Sequence, residues 1–245
     1  MHSVKTLSNN KIKEITKLHQ KKYRDKEKLF IAEGKNIFEG VLCENIEIVD
    51  IFTLESFKST RRTDKITVIS ENEMKKISTT ASACDVLVIA KQKKYREIKG
   101  NKIILLDRIS DPGNLGTIIR SAAAFDIDGI ILFGDCVELY SPKVIRSCAG
   151  NFFKTPVAEI KDIKELKETF NDYNFISTAL RKENNLSPKE IKNIEKTVIM
   201  FGSEADGLNK DLIKIADKNV SLNMKKNVES LNLSVSASIL MYELF

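Results

Sequence analysis

The sequence predicts an α/β protein of two units, a small N-terminal one and a larger C-terminal one built on a mainly parallel sheet. Three observations carry this. Apolar runs of strand length alternate with helix-period stretches along the whole chain. In the second half the runs are nearly continuous, as in IILL at 103–106, which is how strands covered on both faces read. Between the halves lies KQKKYREIKGN (91–101), a charged stretch ending in Gly-Asn that reads as a linker. The boundary is expected at residues 1–95 and 96–245.

Each element follows from its own residues. Ile12, Ile15 and Leu18 set among lysines predict one basic amphipathic helix over 11–28. LFIAEG (29–34) reads as a strand closed by glycine, and Ile37, Phe38, Val41 and Leu42 mark the next helix. Strands are expected at 46–52, 65–70 and 85–90. Ser70 with Glu73 three residues on is a capping box for a helix ending near Ile77. In the second unit, strands are expected at 102–107, 129–134, 174–180, 197–202 and 219–224. Helices fall between and after them, at 114–126, 141–149, 161–171, 209–217 and 230–244.

Composition narrows the function. The 245 residues are 42% apolar and 30% charged, which suits a globular protein with a sizeable core. No apolar run approaches bilayer length, and the first residues lack an apolar leader, so a cytoplasmic protein with no membrane partner is expected. The four cysteines show no paired spacing and read as reduced thiols. His2 and His19 are the only histidines, so neither a histidine-based metal site nor a histidine-activated nucleophile is expected. The net charge of +6 is concentrated: residues 1–35 hold ten Lys/Arg against four acids, and the rest of the chain balances. Such a segment suits a polyanion, with a solvated helix face as the plainer alternative.

Ligands of open α/β sheets gather beyond the carboxyl ends of strands. After KIILLD comes RISDPGNLGTIIRSAAAFD, with Asn114 at a helix start and Arg120 two turns in. A helix cap explains Asn114, and a snorkelling surface arginine explains Arg120. After TVIMFG comes SEADGL, where Gly202 offers bare backbone and Glu204 is not explained by a simple turn. After NVSLNM comes KKNVESLNLSVSAS, with Ser230 as a natural N-cap and Asn232 in the first turn. The chain has no G-x-G-x-x-G, no P-loop and no G-x-S-x-G.

Four segments in register resemble the SpoU/TrmH family of RNA ribose 2′-O-methyltransferases, within the SPOUT superfamily. They are DRISDPGNLGTIIRSAAAFDIDGIIL (107–132), SPKVIRSCAGNFFKTPV (141–157), VIMFGSEADGL (198–208) and LNMKKNVESLNLSVSASILMYE (222–243). Residues 11–42 also resemble the RNA substrate-binding domain that often precedes the catalytic one. The resemblance implies a SPOUT-type domain with a parallel sheet and a deep trefoil knot, behind a small N-terminal α/β RNA-binding domain. It implies S-adenosyl-L-methionine as methyl donor and a homodimer with the site near the subunit interface. Asn114, Arg120, Glu204, Ser230 and Asn232 fall on the family's polar motif positions, and are the implied catalytic residues. Gly202, Leu222, Leu231, Thr178, Leu180 and Met224 are the implied cofactor-binding positions, held mainly through backbone groups. Lys21, Lys22, Arg24, Lys35, Lys143 and Arg146 are the implied RNA contacts. The chain departs from the family at Asn223 (usually Pro), Ala205 (usually Gly) and Asp126 (usually Gly), and none of these removes a polar motif side chain.

The implied chemistry is methyl transfer to a ribose hydroxyl, in which positioning supplies much of the rate. Guanidinium keeps its proton, so Arg120 suits an electrostatic clamp, with the hydroxyl proton passing to a phosphate oxygen, water or Glu204. The 2′-hydroxyl itself selects RNA over DNA. Large-subunit ribosomal RNA is the expected substrate. Transfer RNA is the alternative within the enzyme class, and a non-catalytic RNA-binding assembly protein is the alternative outside it.

Overall fold

The computed structural model describes residues 4–44, 46–58, 65–82, 84–93, 97–179, 185–191, 194–225 and 230–244. The elements run α1 (Asn9–Lys17), α2 (Lys21–Glu27), β1 (Leu29–Glu33), α3 (Lys35–Cys43), β2 (Ile48–Thr53), β3 (Ile66–Val68), α4 (Glu71–Ile77) and β4 (Val86–Lys91). They continue with β5 (Lys102–Asp107), α5 (Pro112–Ala124), β6 (Gly129–Phe133), α6 (Pro142–Ser147), β7 (Val157–Ile160), α7 (Ile163–Thr169) and β8 (Asn174–Ser177). The last are α8 (Pro188–Ile191), β9 (Thr197–Phe201), α9 (Lys210–Lys214), β10 (Lys218–Asn219) and α10 (Leu233–Leu244). Two compact units result: Met1–Lys94 with Glu138–Phe153, and Tyr95–Val137 with Lys154–Phe245. The expected boundary put residues 138–153 in the second unit, whereas they fold with the first.

The first unit is a four-stranded mixed sheet in the order β1-β4-β2-β3. Side chains alternate across a strand, so Ile31 and Phe30 of β1 face opposite ways. Ile31 joins Leu87, Ile89 and Phe52 under Ile15 and Leu18 from the N-terminal helical segment and Met74 and Ile77 of α4. Phe30 packs on Tyr140 and Phe153, with ring centroids 5.3 and 5.7 Å away. Residues 138–153 therefore cover a sheet face that would otherwise be bare, which is the physical reason they belong here. Glycine lets that segment come close: a Cβ at Gly40 would collide with the Gly150 carbonyl, and Gly150 itself has φ +90°.

The single helix expected over 11–28 is two helices. Leu18 closes α1, and Gln20 is extended before α2. The break frees the Leu18 carbonyl, which accepts from Arg24 Nη1 at 2.6 Å. Arg24 also donates from Nε (2.8 Å) and Nη2 to the Glu138 carboxylate. Its side chain is 4% exposed and that of Glu138 15%. A guanidinium buried this way is not available to RNA, so Arg24 leaves the RNA-contacting set and becomes a structural residue. Ser70 caps α4 as expected, its Oγ accepting from Glu73 N at 3.3 Å, but the Glu73 carboxylate accepts from Leu7 N (2.5 Å) and Ser70 Oγ (3.3 Å), so the expected box is present only as its serine half.

The second unit is a six-stranded sheet in the order β10-β8-β9-β5-β6-β7, every pairing parallel. β5, β6 and β9 are buried along nearly their whole length, in keeping with their unbroken apolar runs. β7 was not anticipated; it is a four-residue edge strand with only Val157 and Ile160 buried, too short for a clear period. The strand expected over 219–224 is confined to Lys218–Asn219, beyond which the chain turns into loop. The four cysteines, all among the described residues, form no disulfide. Among the described residues no helix is long and apolar enough to cross a membrane.

Candidate active site

The site grows from the carboxyl ends of three neighbouring strands. Thr178 and Ala179 follow β8, Gly202–Leu208 follow β9, and Val220, Ser221, Leu222 and Met224 follow β10. Together with Ser230, Leu231 and Leu233 at the entry to α10, they line a cavity of about 600 Å³. That is the range of a small-molecule site. The five described positions expected to hold a cofactor (Thr178, Gly202, Leu222, Met224 and Leu231) all lie on this wall. The sixth, Leu180, lies outside the described residues. Ser203, Ser221, Leu208 and Leu240 line it too and were not singled out; three of them sit within a few residues of a strand end, the signal that would have found them.

Gly202 is needed for the loop itself. A Cβ there would collide with the Leu208 amide nitrogen and the Gly207 carbonyl carbon. The turn closes through Gly207, at φ +66°, whose amide donates to the Ser203 carbonyl at 3.0 Å.

Three motif side chains meet at one edge of the cavity. Asp111 caps α5, accepting from Asn114 N at 2.7 Å, with Pro112 in the first helical position. Asn114 is thereby relieved of capping, and its buried side chain donates from Nδ2 to Glu204 Oε1 at 2.7 Å. Asn232 donates from Nδ2 to Asn114 Oδ1 (3.0 Å) and to Glu204 Oε1 (3.3 Å). Its Oδ1 accepts from Ser234 N at 2.9 Å, and its carbonyl takes the first turn's bond from Ser236 N. Asn232 is therefore the N-cap of α10, not Ser230 as the sequence suggested. The helix starts at Leu233, and Ser230 stands clear of it on the cavity wall.

α5 and α10 lie side by side and run the same way. Asn114 meets Asn232, Ser121 Oγ meets Ser238 Oγ at 2.7 Å, and Phe125 meets Tyr242 with ring centroids 5.7 Å apart. Arg120 is exposed on α5, outside the cavity lining, and pairs with no described residue. α10 exposes Val235, Ile239 and Tyr242, the last at 68%, and Leu231, just before the N-cap, is exposed as well. Residues four and three apart share a helix face, so the three helical side chains form one surface.

In the first unit, Lys22 and Lys35 are exposed, and Lys21 pairs with Asp25 across one helical turn. Lys143 is exposed on α6. Arg146 is one-third exposed; its Nη1 donates to Glu33 Oε2 (3.0 Å) and Thr79 Oγ1 (2.5 Å). Arg146 and Lys35 share a depression with the start of α3. No group of three or more His, Cys, Asp or Glu residues is placed to hold a metal among the described residues.

Residues 101–242 match the SpoU rRNA methylase family. The chain belongs to that family. It is an RNA methyltransferase by that membership, and residues 9–87 match an MRM3-like substrate binding domain. The chain is 28% identical over 250 residues to the 23S rRNA (guanosine(2553)-2′-O)-methyltransferase RlmP of Bacillus subtilis, covering 100% of this chain and 99% of the relative. Its fold matches the AdoMet-bound rRNA methyltransferase of Sinorhizobium meliloti at a TM-score of 0.85 and 26% identity, over 98% and 96% of the two chains. The SpoU methyltransferase AviRb of Streptomyces viridochromogenes, in complex with AdoMet, shares the fold at a TM-score of 0.84, with 20% identity and 97% of each chain covered.

The cavity suits an adenosyl sulfonium. Leucines 222, 231, 233 and 240 offer apolar wall, while Ser203, Ser221 and Ser230 and the bare backbone of Gly202 offer polar groups beside it.

Proposed function

We propose that this chain methylates a ribose 2′-hydroxyl in structured RNA, with large-subunit ribosomal RNA as its substrate class and S-adenosylmethionine as methyl donor. The observation that carries the reading is the joining of Asn114, Glu204 and Asn232 by hydrogen bonds at a cavity lined by the five cofactor positions. The Bacillus subtilis relative, named for 2′-O-methylation of 23S rRNA, supports the substrate class.

When bound, S-adenosylmethionine supplies an electrophilic methyl group whose leaving group departs as a neutral thioether. Asn114 and Asn232 both donate to Oε1 of Glu204 and hold that carboxylate in one place. Its Oε2 has no described partner and is the acceptor the cavity offers for the hydroxyl proton. Ser230 and the Gly202 backbone bound the same space and orient the donor. In-line placement of hydroxyl and methyl then supplies most of the rate.

Arg120 does not line its own chain's cavity. The exposed stripe of Val235, Ile239 and Tyr242, with Leu231 just before the helix, supports a homodimer through α10 and its neighbour α5. In that dimer Arg120 serves the partner's site, where it clamps the RNA phosphate and target hydroxyl while keeping its own proton. Lys21, Lys22, Lys35, Lys143 and Arg146 supply sequence-independent phosphate contacts from the first unit. The family's trefoil knot belongs to the same reading.

Replacing Arg120 with alanine tests the assignment. Cofactor binding by calorimetry is expected to stay within about twofold, while methylation of ribosomal RNA falls to background. Turnover by R120A near that of the parent protein would overturn the clamp.

A further inference from the structure

The loop after β9 supplies much of the cavity wall, and a side chain outside the cavity holds it. β5 ends at Asp107, whose carboxylate is completely buried. Arg108 follows at φ +52°, a left-handed conformation uncommon outside glycine and asparagine. Its amide donates to the Phe133 carbonyl at 3.0 Å. That turn folds the side chain back onto its own neighbour. Nε donates to Asp107 Oδ1 and Nη2 to Asp107 Oδ2, each at 3.1 Å. Gly134 keeps the path open: a Cβ there would stand only 3.0 Å from Arg108 Cγ.

The guanidinium reaches on to the β9–α9 loop. Nη2 donates to the Gly207 carbonyl at 3.2 Å, and Nη1 stands 3.6 Å from the Asp206 carboxylate. Asp107 Oδ2 accepts from Asn209 N at 2.8 Å, at the N-cap of α9. One buried carboxylate and one arginine thus tie the end of β5 to three positions of the loop, Asp206, Gly207 and Asn209. Gly202 through Leu208 line the cavity, but Arg108 does not.

We propose that Arg108 is a positioning residue that presets the Gly202–Leu208 loop for the methyl donor. It acts through the loop backbone and touches neither cofactor nor RNA. Ordering the loop before binding removes an entropy cost from each binding event. Glu204 is held separately by Asn114 and Asn232, so the loop's grip on the donor and the carboxylate's place in the reaction are separable. The inference rests on the cavity being the S-adenosylmethionine site.

Calorimetry with S-adenosylmethionine and with S-adenosylhomocysteine on the full chain, combined with hydrogen exchange, tests it. R108A is expected to raise both dissociation constants about tenfold, the scale of losing a charge-assisted bond. Amides of 206–208 should exchange faster while those of β5 and β9 do not. The loss should appear in KM for the donor, with kcat at saturation within about threefold, since Glu204 keeps both amides. R108K keeps the stem and charge but not the two-pronged geometry, so it should recover part of the affinity; it also carries the test if R108A fails to fold. Donor affinity within about twofold of the parent in both variants overturns the proposal. So does exchange that rises throughout the sheet, since that marks a merely structural residue. Absence of donor binding by the unmodified protein would instead remove the cofactor reading on which the inference stands.

Discussion

Replacing Glu138 with alanine strands a buried guanidinium. Arg24 is 4% exposed at its side chain and gives two of its three described side-chain bonds to Glu138. After the substitution only the Leu18 carbonyl remains as a described partner of that side chain. Breaking a buried pair from one side costs about 3–5 kcal/mol, because the remaining charge loses its compensation. Glu138 is itself 15% exposed, so water reaches the vacated space in part, and the low end, about 3 kcal/mol, is expected. Urea denaturation followed by circular dichroism measures the loss. Hydrogen exchange should place it in peptides covering residues 18–31 and 138–153, where Phe30 packs on Tyr140 and Phe153. The double variant R24M/E138L removes both charges and should recover most of the stability. A loss below about 1 kcal/mol in E138A would put the pair among ordinary surface bridges and refute the reasoning.

Gly202→Ala places a Cβ against the Leu208 amide and the Gly207 carbonyl carbon, so the loop must move. S-adenosylmethionine affinity should fall by more than about tenfold in calorimetry, with a stability loss of about 1–3 kcal/mol from overpacking. Val235→Glu puts a charge in the exposed stripe of α10. On the proposed dimer, sedimentation should report the parent protein as a dimer and this variant as a monomer.

Much of the second unit was legible along the chain. Unbroken apolar runs marked the buried strands, because a strand covered on both faces leaves no polar alternation to blur the signal. The residues after each strand marked the cavity wall, because strand ends in a parallel sheet share one edge. The helix capped by Ser70 was legible from two residues, since a cap is a local hydrogen bond. The short strand β7 was not, as it depends on pairing with a distant neighbour, and the strand expected at 219–224 shrinks to the two residues of β10 that pair with β8.

Residues whose meaning depends on remote partners were misread or missed. Arg24 sits in a basic run and resembles its exposed neighbours, but Glu138, 114 positions away, draws it inside. Asn232 and Ser230 are both good capping residues; the approach of Asn114 and Glu204 accompanies the choice of Asn232. Residues 138–153 follow β6 in sequence yet fold over Phe30. By itself the sequence determined which residues form the central strands and which loops follow them, since local periodicity and backbone chemistry decide both. Only the tertiary structure decided which polar side chains would meet at a site and which would be consumed in holding the fold, because burial and hydrogen-bond partners are properties of residues distant in sequence.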